Sequence, residues 1–361
     1  MEIKENCHVS LAEKVLSNIA NLSSLELRRG RRQLAEHIRS LKLVRRPESS
    51  LSIVGCDSLP TDTLERLCLF PTLQHVELRD ADNITTLRGM SCAACLKTLA
   101  VRYCFNLREL PEDLYQFQAL EYLEISCCPR IDSFGYPNPK NSFGQKGLLK
   151  SLERFTVDMC NALTRLPAEM FESCTSLREL SLSCCRSLVS FPLDFRRTPS
   201  LESFSLQWCP NWIAEMPSGF GYLTSLRTVS IGPFSDYSVI EFDWAGLASS
   251  SSLRHVSLFG MRDTKSLPHQ LQDLTTITSL SLLLFGAIEA LPDWLGNLAS
   301  LDELILRGCP KLEYLPSAAA MERLKLRRLA IDGCPLLERR CTPESGSEWS
   351  KISNISERQI Y

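Results

Sequence analysis

The motif Leu-x-x-Leu-x-Leu recurs along this chain, and its spacing limits the folds that the sequence can adopt. Copies start at Leu73, Leu96, Leu120, Leu152, Leu177, Leu201, Leu226, Leu253, Ile277, Leu301 and Leu326, with a degenerate copy at Glu48. Ten of the eleven intervals between these starts measure 23 to 27 residues, and the remaining one measures 32. Such regularity cannot arise by chance, so the chain is built from about twelve copies of one unit.

Each unit predicts a short strand followed by a turn. The L-x-L core alternates with a period of two, which buries one face of a strand. In seven units a proline follows the strand and turns the chain toward the outer side, at Pro111, Pro167, Pro192, Pro217, Pro268, Pro292 and Pro316. This motif and period are those of the leucine-rich repeat. We therefore expect an α/β solenoid, a leucine-rich repeat horseshoe with a concave parallel β-sheet and short helical or irregular convex segments.

The repeat register divides the chain into three parts. Residues 48–340 hold about twelve repeats, and residues 341–361 form a C-terminal cap or tail. Residues 1–47 are an N-terminal cap or degenerate first repeats, because registers starting at Leu22 and at Ile38 compete there. The 32-residue interval carries a Pro- and Gly-containing insertion near 133–147, which is either a binding loop or a tolerated surface insertion.

Half of the sixteen cysteines share one place in the repeat. Counted from the first residue of each unit, position nine is occupied by Cys56, Cys104, Cys128, Cys160, Cys185, Cys209, Cys309 and Cys334. This position turns inward after the strand and needs a small side chain, so we interpret these thiols as structural. Cys184, at position eight, is expected to be the more accessible member of the Cys184–Cys185 pair. A lone C-x-x-C at Cys92 and Cys95, without histidines at ligand spacing, predicts no metal site.

Composition and motifs argue against several functional classes. Forty basic and forty-two acidic residues lack the basic excess of a nucleic-acid binder. The sequence has neither a signal-peptide pattern nor an apolar run of membrane-spanning length, and its many cysteines are typical of reduced thiols. These features favour a cytoplasmic or nucleo-cytoplasmic location. No phosphate-binding, dinucleotide-binding, metalloprotease or serine-hydrolase motif occurs, so we predict no enzymatic activity and no cofactor.

The residues between the leucines point away from the core and are candidates for ligand binding. The predicted contacts on the concave face are Arg79, Arg102, Tyr103, Tyr122, Arg154, Asp158, Gln207, Trp208, Phe259 and Arg307. A solvated face of mixed charge would account for the charged members of this set. It accounts less well for Trp208 and Phe259, which are either ligand anchors or side chains packed sideways against a neighbouring repeat.

The repeat unit resembles that of plant intracellular immune receptors. The unit "LDELILRGCPKLEYLP" from Leu301 is similar to the leucine-rich repeats of NLR proteins, commonly of the coiled-coil class, in which such repeats follow an NB-ARC nucleotide-binding module. The segment from Leu329 to Ile355 looks like their closing segment, in which an Arg-Cys pair, a polar loop, a tryptophan and a Lys-Ile pair follow the last repeat. Here these residues are Arg340, Cys341, Trp349, Lys351 and Ile352.

The resemblance implies a protein-recognition domain of a plant innate immune receptor. Such a domain would bind a pathogen effector or a guarded host protein and would regulate an NB-ARC module in cis or in trans. An arginine cluster would dock on that module, and it consists of Arg28, Arg29, Arg31, Arg32, Arg45 and Arg46. The sequence contains no nucleotide-binding motif, so ATP/ADP switching is not implied for this chain. The alternative is a non-immune adaptor or scaffold, such as the substrate-binding part of a ubiquitin ligase.

Overall fold

The fold is given by a computed structural model. It describes residues 2–3, 24–28, 49–54, 73–82, 84–90, 95–111, 114, 117–134, 149–166, 168–189, 194–210, 219–234 and 242–361. The chain divides into two compact units, Met1–Leu193 (unit 1) and Asp194–Tyr361 (unit 2). Within these ranges, no helix has the length and apolar character needed to cross a membrane.

In each unit the strands lie side by side in sequence order, and every pair is parallel. The strands of unit 1 are β1 (Glu2–Ile3), β2 (Ser24–Arg28), β3 (Ser49–Val54), β4 (Leu73–Arg79), β5 (Thr98–Arg102), β6 (Tyr122–Ser126), β7 (Arg154–Asp158) and β8 (Glu179–Ser183). Those of unit 2 are β9 (Ser203–Gln207), β10 (Thr228–Phe234), β11 (His255–Gly260), β12 (Ser279–Leu283), β13 (Glu303–Arg307), β14 (Arg328–Asp332) and β15 (Glu357–Ile360).

The core is formed by the leucine positions of the repeat. Positions four and six, such as Leu123 and Ile125 in β6, are fully buried on one face of the sheet because strand side chains alternate between faces. Position one and the apolar residues of the returning segment pack against them from the other side. Aromatic rings fill the wider spaces, and Phe204 lies 5.4 Å from Phe195 and 5.5 Å from Phe220 between ring centroids. A single repeat could not bury these residues, so stacking of neighbours provides the core.

Short helical segments return the chain between strands. The described 3₁₀ helices span Arg88–Met90, Ala168–Phe171, Phe195–Arg197, Phe220–Tyr222, His269–Asp273 and Asp293–Asn297. The described α-helices are α1 (Trp244–Ala248), α2 (Ala318–Leu324), α3 (Pro335–Arg340) and α4 (Trp349–Ile352). After Pro292, for example, Leu295 and Leu298 are fully buried three and six residues later. This spacing places both leucines on the inner side of a single turn.

Position eight, where the strand ends, has a left-handed backbone in most described repeats. Its φ lies between 52° and 66° in Asp80, Tyr103, Cys127, Met159, Cys184, Trp208, Leu284, Gly308 and Gly333. The turn lets the position-eight N–H donate to the position-seven carbonyl of the next repeat. Tyr103 donates in this way to Ser126 at 2.9 Å, and Met159 donates to Ser183 at 3.0 Å. The hydrogen-bond ladder therefore continues one residue beyond the strand while the following position nine turns inward.

The structure confirms the leucine-rich repeat solenoid and refines its register. β2 pairs with β3 and contains Leu25 and Leu27, so the register starting at Leu22 forms the strand, whereas Ile38 lies outside the described residues. In the insertion near 133–147, residues 135–147 also lie outside the described residues. Phe134 is buried at position fifteen and packs 5.7 Å from Phe155, so the repeat core extends to that residue.

The C-terminal segment contains a strand that the motif did not predict. β15 pairs with β14, although its sequence Glu-Arg-Gln-Ile lacks the L-x-L pattern. The buried carboxylate of Glu348 fixes this segment, since it accepts hydrogen bonds from the Leu315 N–H at 2.8 Å and from Lys351 Nζ at 2.7 Å. The ion pair replaces the hydration that both groups lose on burial.

Candidate functional site

The candidate site is the open face of each sheet, which carries positions three, five and seven of the repeats. In unit 1 this face is dominated by one ion-pair network. Arg102 Nη1 donates to Glu77 Oε1 at 2.6 Å, and Arg102 Nε donates to Glu124 Oε1 at 2.7 Å. Arg102 Nη2 and the Tyr122 hydroxyl both donate to Glu124 Oε2. Two residues predicted to bind a ligand, Arg102 and Tyr122, are therefore already engaged with carboxylates of their own sheet.

The network perturbs the pKa of its members because it is partly shielded from water. Glu124 retains 9% of its surface. Burial acts to raise the pKa of Glu124, but hydrogen bonds from Arg102 and Tyr122 outweigh it and hold this pKa below its ordinary value. The hydrogen bond to Glu124 raises the pKa of Arg102, while burial raises the pKa of Tyr122. These shifts favour the carboxylate form of Glu124, the guanidinium form of Arg102 and the neutral form of Tyr122.

The other predicted contacts of unit 1 are also paired across strands. Arg79 lies 5.5 Å from the centre of the Tyr103 ring, and this ring is 38% exposed at the strand end. Arg154 Nε lies 3.4 Å from Glu179 Oε1, in a pair open to solvent. Asp158 Oδ1 accepts a hydrogen bond of 2.5 Å from the Ser183 hydroxyl. Charged groups on this face therefore mainly join neighbouring repeats.

In unit 2 the centre of the open face is a row of serines. Ser205, Ser230, Ser257 and Ser281 occupy position five on four adjacent strands and lie directly opposite one another in the strand register. All four are partly exposed. Gln207 Nε2 donates to Ser205 Oγ at 2.9 Å and to Ser230 Oγ at 2.7 Å, which fixes the amide against the floor. The result is a shallow, uncharged floor lined with hydroxyl groups.

An aromatic pair stands at the strand-end side of this floor. The rings of Trp208 and Phe259 meet edge to face, with centroids 6.1 Å apart and planes at 68°. Trp208 directly follows β9 and Phe259 lies in β11, on either side of β10 and at the level where β10 carries Gly232. A Cβ on Gly232 would lie 2.4 Å from the Phe259 carbonyl oxygen, so only glycine fits. Trp208 remains 36% exposed despite this packing.

The sideways packing considered from the sequence thus coexists with exposure to solvent. Farther along the same unit, Arg307 Nε lies 2.9 Å from Asp332 Oδ2, so this predicted contact is engaged in an ion pair. Leu283 and the exposed Leu284 continue the apolar rim beside Phe259. The structure therefore brings three predicted residues, Gln207, Trp208 and Phe259, into one surface that also contains the serine row.

The position-nine cysteines lie in the interior of each unit. Those that the structure describes are fully or almost fully buried, namely Cys104, Cys128, Cys160, Cys185, Cys209, Cys309 and Cys334. Their thiols point at backbone carbonyls, as in Cys185, whose Sγ lies 3.3 Å from the Ser183 oxygen. Burial raises the pKa of the Cys160 thiol, which disfavours the reactive thiolate. Cys184, one residue away, is partly exposed.

Some predicted residues fall outside the described part of the chain. Cys56 does so, as do the side chain of Arg28 and the arginines at 29, 31, 32, 45 and 46. In the part of the chain that the structure describes, no three His, Cys, Asp or Glu side chains are grouped to hold a metal ion. The sequence reasoning missed the serine row and the role of Glu124. The serine row is visible once the repeats are aligned by position, because position five is serine in β8 through β12.

Regular parallel strands, short returning helices and a core built from one repeated motif define this chain as a leucine-rich repeat protein. No protein-family profile matches it. Among solved structures, the functional domain of InlJ from Listeria monocytogenes, which includes a cysteine ladder, superposes with a TM-score of 0.51 at 17% identity. The match covers 88% of this chain and 59% of that one, and it concerns the fold alone.

The resemblance to plant disease-resistance proteins is confirmed by sequence relatives. Protein SUPPRESSOR OF npr1-1, CONSTITUTIVE 1 of Arabidopsis thaliana is 25% identical over 321 residues, covering 74% of this chain and 21% of the relative. Disease resistance protein RPP4 of the same plant is 28% identical over 273 residues, with 74% and 19% coverage. TMV resistance protein N of Nicotiana glutinosa is 23% identical over 274 residues, with 68% and 22% coverage. The chain thus spans about a fifth of these relatives.

Proposed function

We propose that this chain is the protein-recognition domain of a plant innate immune receptor, binding a pathogen effector or a guarded host protein through the open face of unit 2. The observation that carries this proposal is the exposed Trp208–Phe259 pair beside an uncharged floor. Exposed aromatic rings held rigid by their neighbours are typical anchors of protein interfaces, since they bury much apolar area at little entropic cost. The relatives supply the immune context and favour it over the adaptor alternative.

The open face of unit 1 has a different role in this proposal. Its arginines are joined to glutamates of adjacent strands, so a partner would have to break these pairs in order to engage them. Breaking partly buried pairs is costly. Unit 1 therefore acts mainly as a stable support, and recognition is concentrated where the surface is uncharged and apolar.

The test is affinity purification from plant tissue with and without pathogen challenge, followed by reconstitution with the identified partner in purified form. We expect Trp208→Ala/Phe259→Ala to weaken binding at least tenfold. Aromatic residues at interface hot spots commonly contribute about 2 kcal/mol or more to the binding free energy, and about 1.4 kcal/mol corresponds to a tenfold change in affinity. The control is Tyr222→Ala, which removes a 58% exposed aromatic ring from a returning helix of the same unit. Equal binding by all three proteins would refute the proposal.

Regulation of an NB-ARC module is a separate part of the proposal. The six arginines at 28, 29, 31, 32, 45 and 46 would supply an electrostatic face for that module. Binding measured in trans to a purified NB-ARC module should weaken with increasing salt and with charge reversal at these arginines. Salt-insensitive binding, or no binding, would remove this part and leave recognition by unit 2 intact.

A further inference from the structure

The open face of unit 2 changes character along the direction of its strands. At the edge where the strands start, position two carries Arg227 just before β10 and Arg254 just before β11, and both residues are exposed. Arg254 Nη1 donates only to the carbonyls of Ser251 and Leu253, each at 2.8 Å, among the described residues. Arg227 Nε lies 3.9 Å from Glu202, and 70% of its side chain is exposed. Two cations on neighbouring chain segments thus remain largely available.

These two arginines lie at the same level of the sheet. The N–H groups of Arg254 and His255 both donate to the Arg227 carbonyl at 2.9 Å, which holds the two segments side by side. Parallel neighbours in a sheet are about 4.8 Å apart, so the guanidinium groups can reach one carboxylate together. His255, also exposed, adds a polar group beside them. The strand-start side therefore carries a basic cluster, here called the basic notch, made of Arg227, Arg254 and His255, with Glu202 beside Arg227.

The basic notch and the aromatic pair are separated by a defined distance. From position two to position seven, five strand residues at about 3.3 Å each place Arg254 about 16 Å from Phe259 along the strand. The serine row lies between them and carries no charge or bulky side chain, so an extended segment can approach the sheet closely. An extended partner advances by a similar amount per residue. Five residues of such a partner span the surface from one end to the other.

We propose that this surface binds an extended peptide segment that carries an acidic residue about five positions from an aromatic or large aliphatic residue. The carboxylate pairs with Arg227 and Arg254, the apolar side chain packs against Trp208 and Phe259, and the intervening backbone lies over the serine hydroxyls. This inference rests on the proposed recognition function and adds the chemistry of the partner. Specificity follows because a basic residue at the acidic position would meet two largely exposed arginines, of which only Arg227 has a carboxylate, Glu202, near it among the described residues.

A synthetic peptide array tests the proposed spacing. The peptides are 12-mers of Ser, Gly and Thr that contain one Glu and one Phe, separated by one to eight positions in either order. Matched arrays contain Lys with Phe, Glu alone, and Phe alone. The fluorescently labelled chain should bind best near a Glu–Phe separation of five, and it should bind Lys–Phe peptides at least tenfold more weakly. Binding without dependence on spacing, equal binding of Lys–Phe peptides, or no peptide binding overturns the inference.

Variants assign the binding to this surface. We expect Arg227→Glu/Arg254→Glu and Trp208→Ala/Phe259→Ala each to reduce the affinity of the best peptide at least tenfold by fluorescence anisotropy. Ser257→Arg keeps both ends of the surface and fills its floor, so it should block binding even if the aromatic variant unfolds. The control, Arg196→Glu/Tyr222→Ala, changes an exposed arginine and ring of the same unit and should leave the affinity unchanged.

The same measurements separate this inference from the proposed function. A chain that captures a protein partner through Trp208 and Phe259 but shows no preference among the peptides would retain the recognition function and lose the proposed partner chemistry. Peptide binding that survives every surface variant would place the peptide site elsewhere and overturn the inference. Failure of both the peptides and the protein partner to bind would overturn both proposals.

Discussion

The buried carboxylate of Glu124 gives the sharpest test of how unit 1 is held together. Glu124→Gln keeps the shape of the side chain but removes its charge, and it places an amide NH₂ where one carboxylate oxygen accepted hydrogen bonds from Arg102 and Tyr122. Hydrogen bonds to charged groups contribute about 1.5–3 kcal/mol. Because Arg102 keeps Glu77 as a partner and 30% of its side chain is exposed, we expect a loss of about 2 kcal/mol in unfolding free energy.

The matched control is Glu179→Gln, which removes the carboxylate from the Arg154 pair. This pair is 3.4 Å long, and 57% and 51% of its side chains are exposed, so the expected loss is about 0.5 kcal/mol. All five tryptophans lie in unit 2, so tryptophan fluorescence would not report on this region. Hydrogen exchange of peptides from β5 to β7 reports on unit 1, and far-UV circular dichroism in urea follows the unfolding of the whole chain beside it.

The pH dependence follows from the direction of the pKa shift. The pKa of Glu124 is lowered in the folded chain, so its contribution is complete above the unfolded value, about 4.3. It is lost as pH falls through the lower folded pKa, because the folded and unfolded states then bind the same number of protons. The difference between wild type and Glu124→Gln should therefore be full at pH 7 and shrink in strong acid. A difference no larger than that of Glu179→Gln, or one constant with pH, would refute the reasoning.

Three further predictions address the thiols, the glycine turn and the core. Maleimide should modify Cys184 well before Cys185 in the folded chain, as followed by mass spectrometry, and equal rates would contradict the repeat register. Gly232→Ala should cost about 1–3 kcal/mol in urea unfolding of unit 2, because φ is +138° and the new Cβ would contact the Phe259 backbone; an unchanged midpoint would contradict this. Phe204→Ala should cost about 3–5 kcal/mol by the same measurement, since the ring lies between Phe195 and Phe220, and a loss below 1 kcal/mol would contradict the packing described.

The period of the motif was sufficient to predict the strands and the faces that they bury. Each L-x-L core forms a parallel strand because its alternation allows the leucines to be buried on one face only. The same pattern occurs in every repeat, so the strands form in the same way along the chain. The motif could not predict β15, whose strand conformation depends on pairing with β14 rather than on its own pattern. Contacts between repeats, which are distant in sequence, determine such an element.

The sequence predicted several residues of the candidate site but not the contacts between them. Trp208 and Phe259 were recognisable as unusual residues for an open sheet face, but their contact depends on Gly232 leaving room between them. Glu124 was expected to point into solvent, because it occupies position five of its repeat. Its position does face away from the core, but Arg102 of β5 and Tyr122 of the same strand hydrogen-bond to its carboxylate and shield it. Side chains that shield one another across strands are not encoded in the pattern of any single repeat.

At position eight, the left-handed backbone conformation is the same whichever side chain is present. Asp, Tyr, Cys, Met, Trp, Leu and Gly all occupy this turn with nearly the same φ. A residue without glycine's freedom costs about 1 kcal/mol or more there, less for Asp, and the cost does not depend strongly on which of the other side chains is present. Exchanging one such residue for another therefore leaves the repeat intact while changing what the strand end presents to solvent. The side chain at this position can therefore be exchanged in one repeat after another without first restoring stability elsewhere.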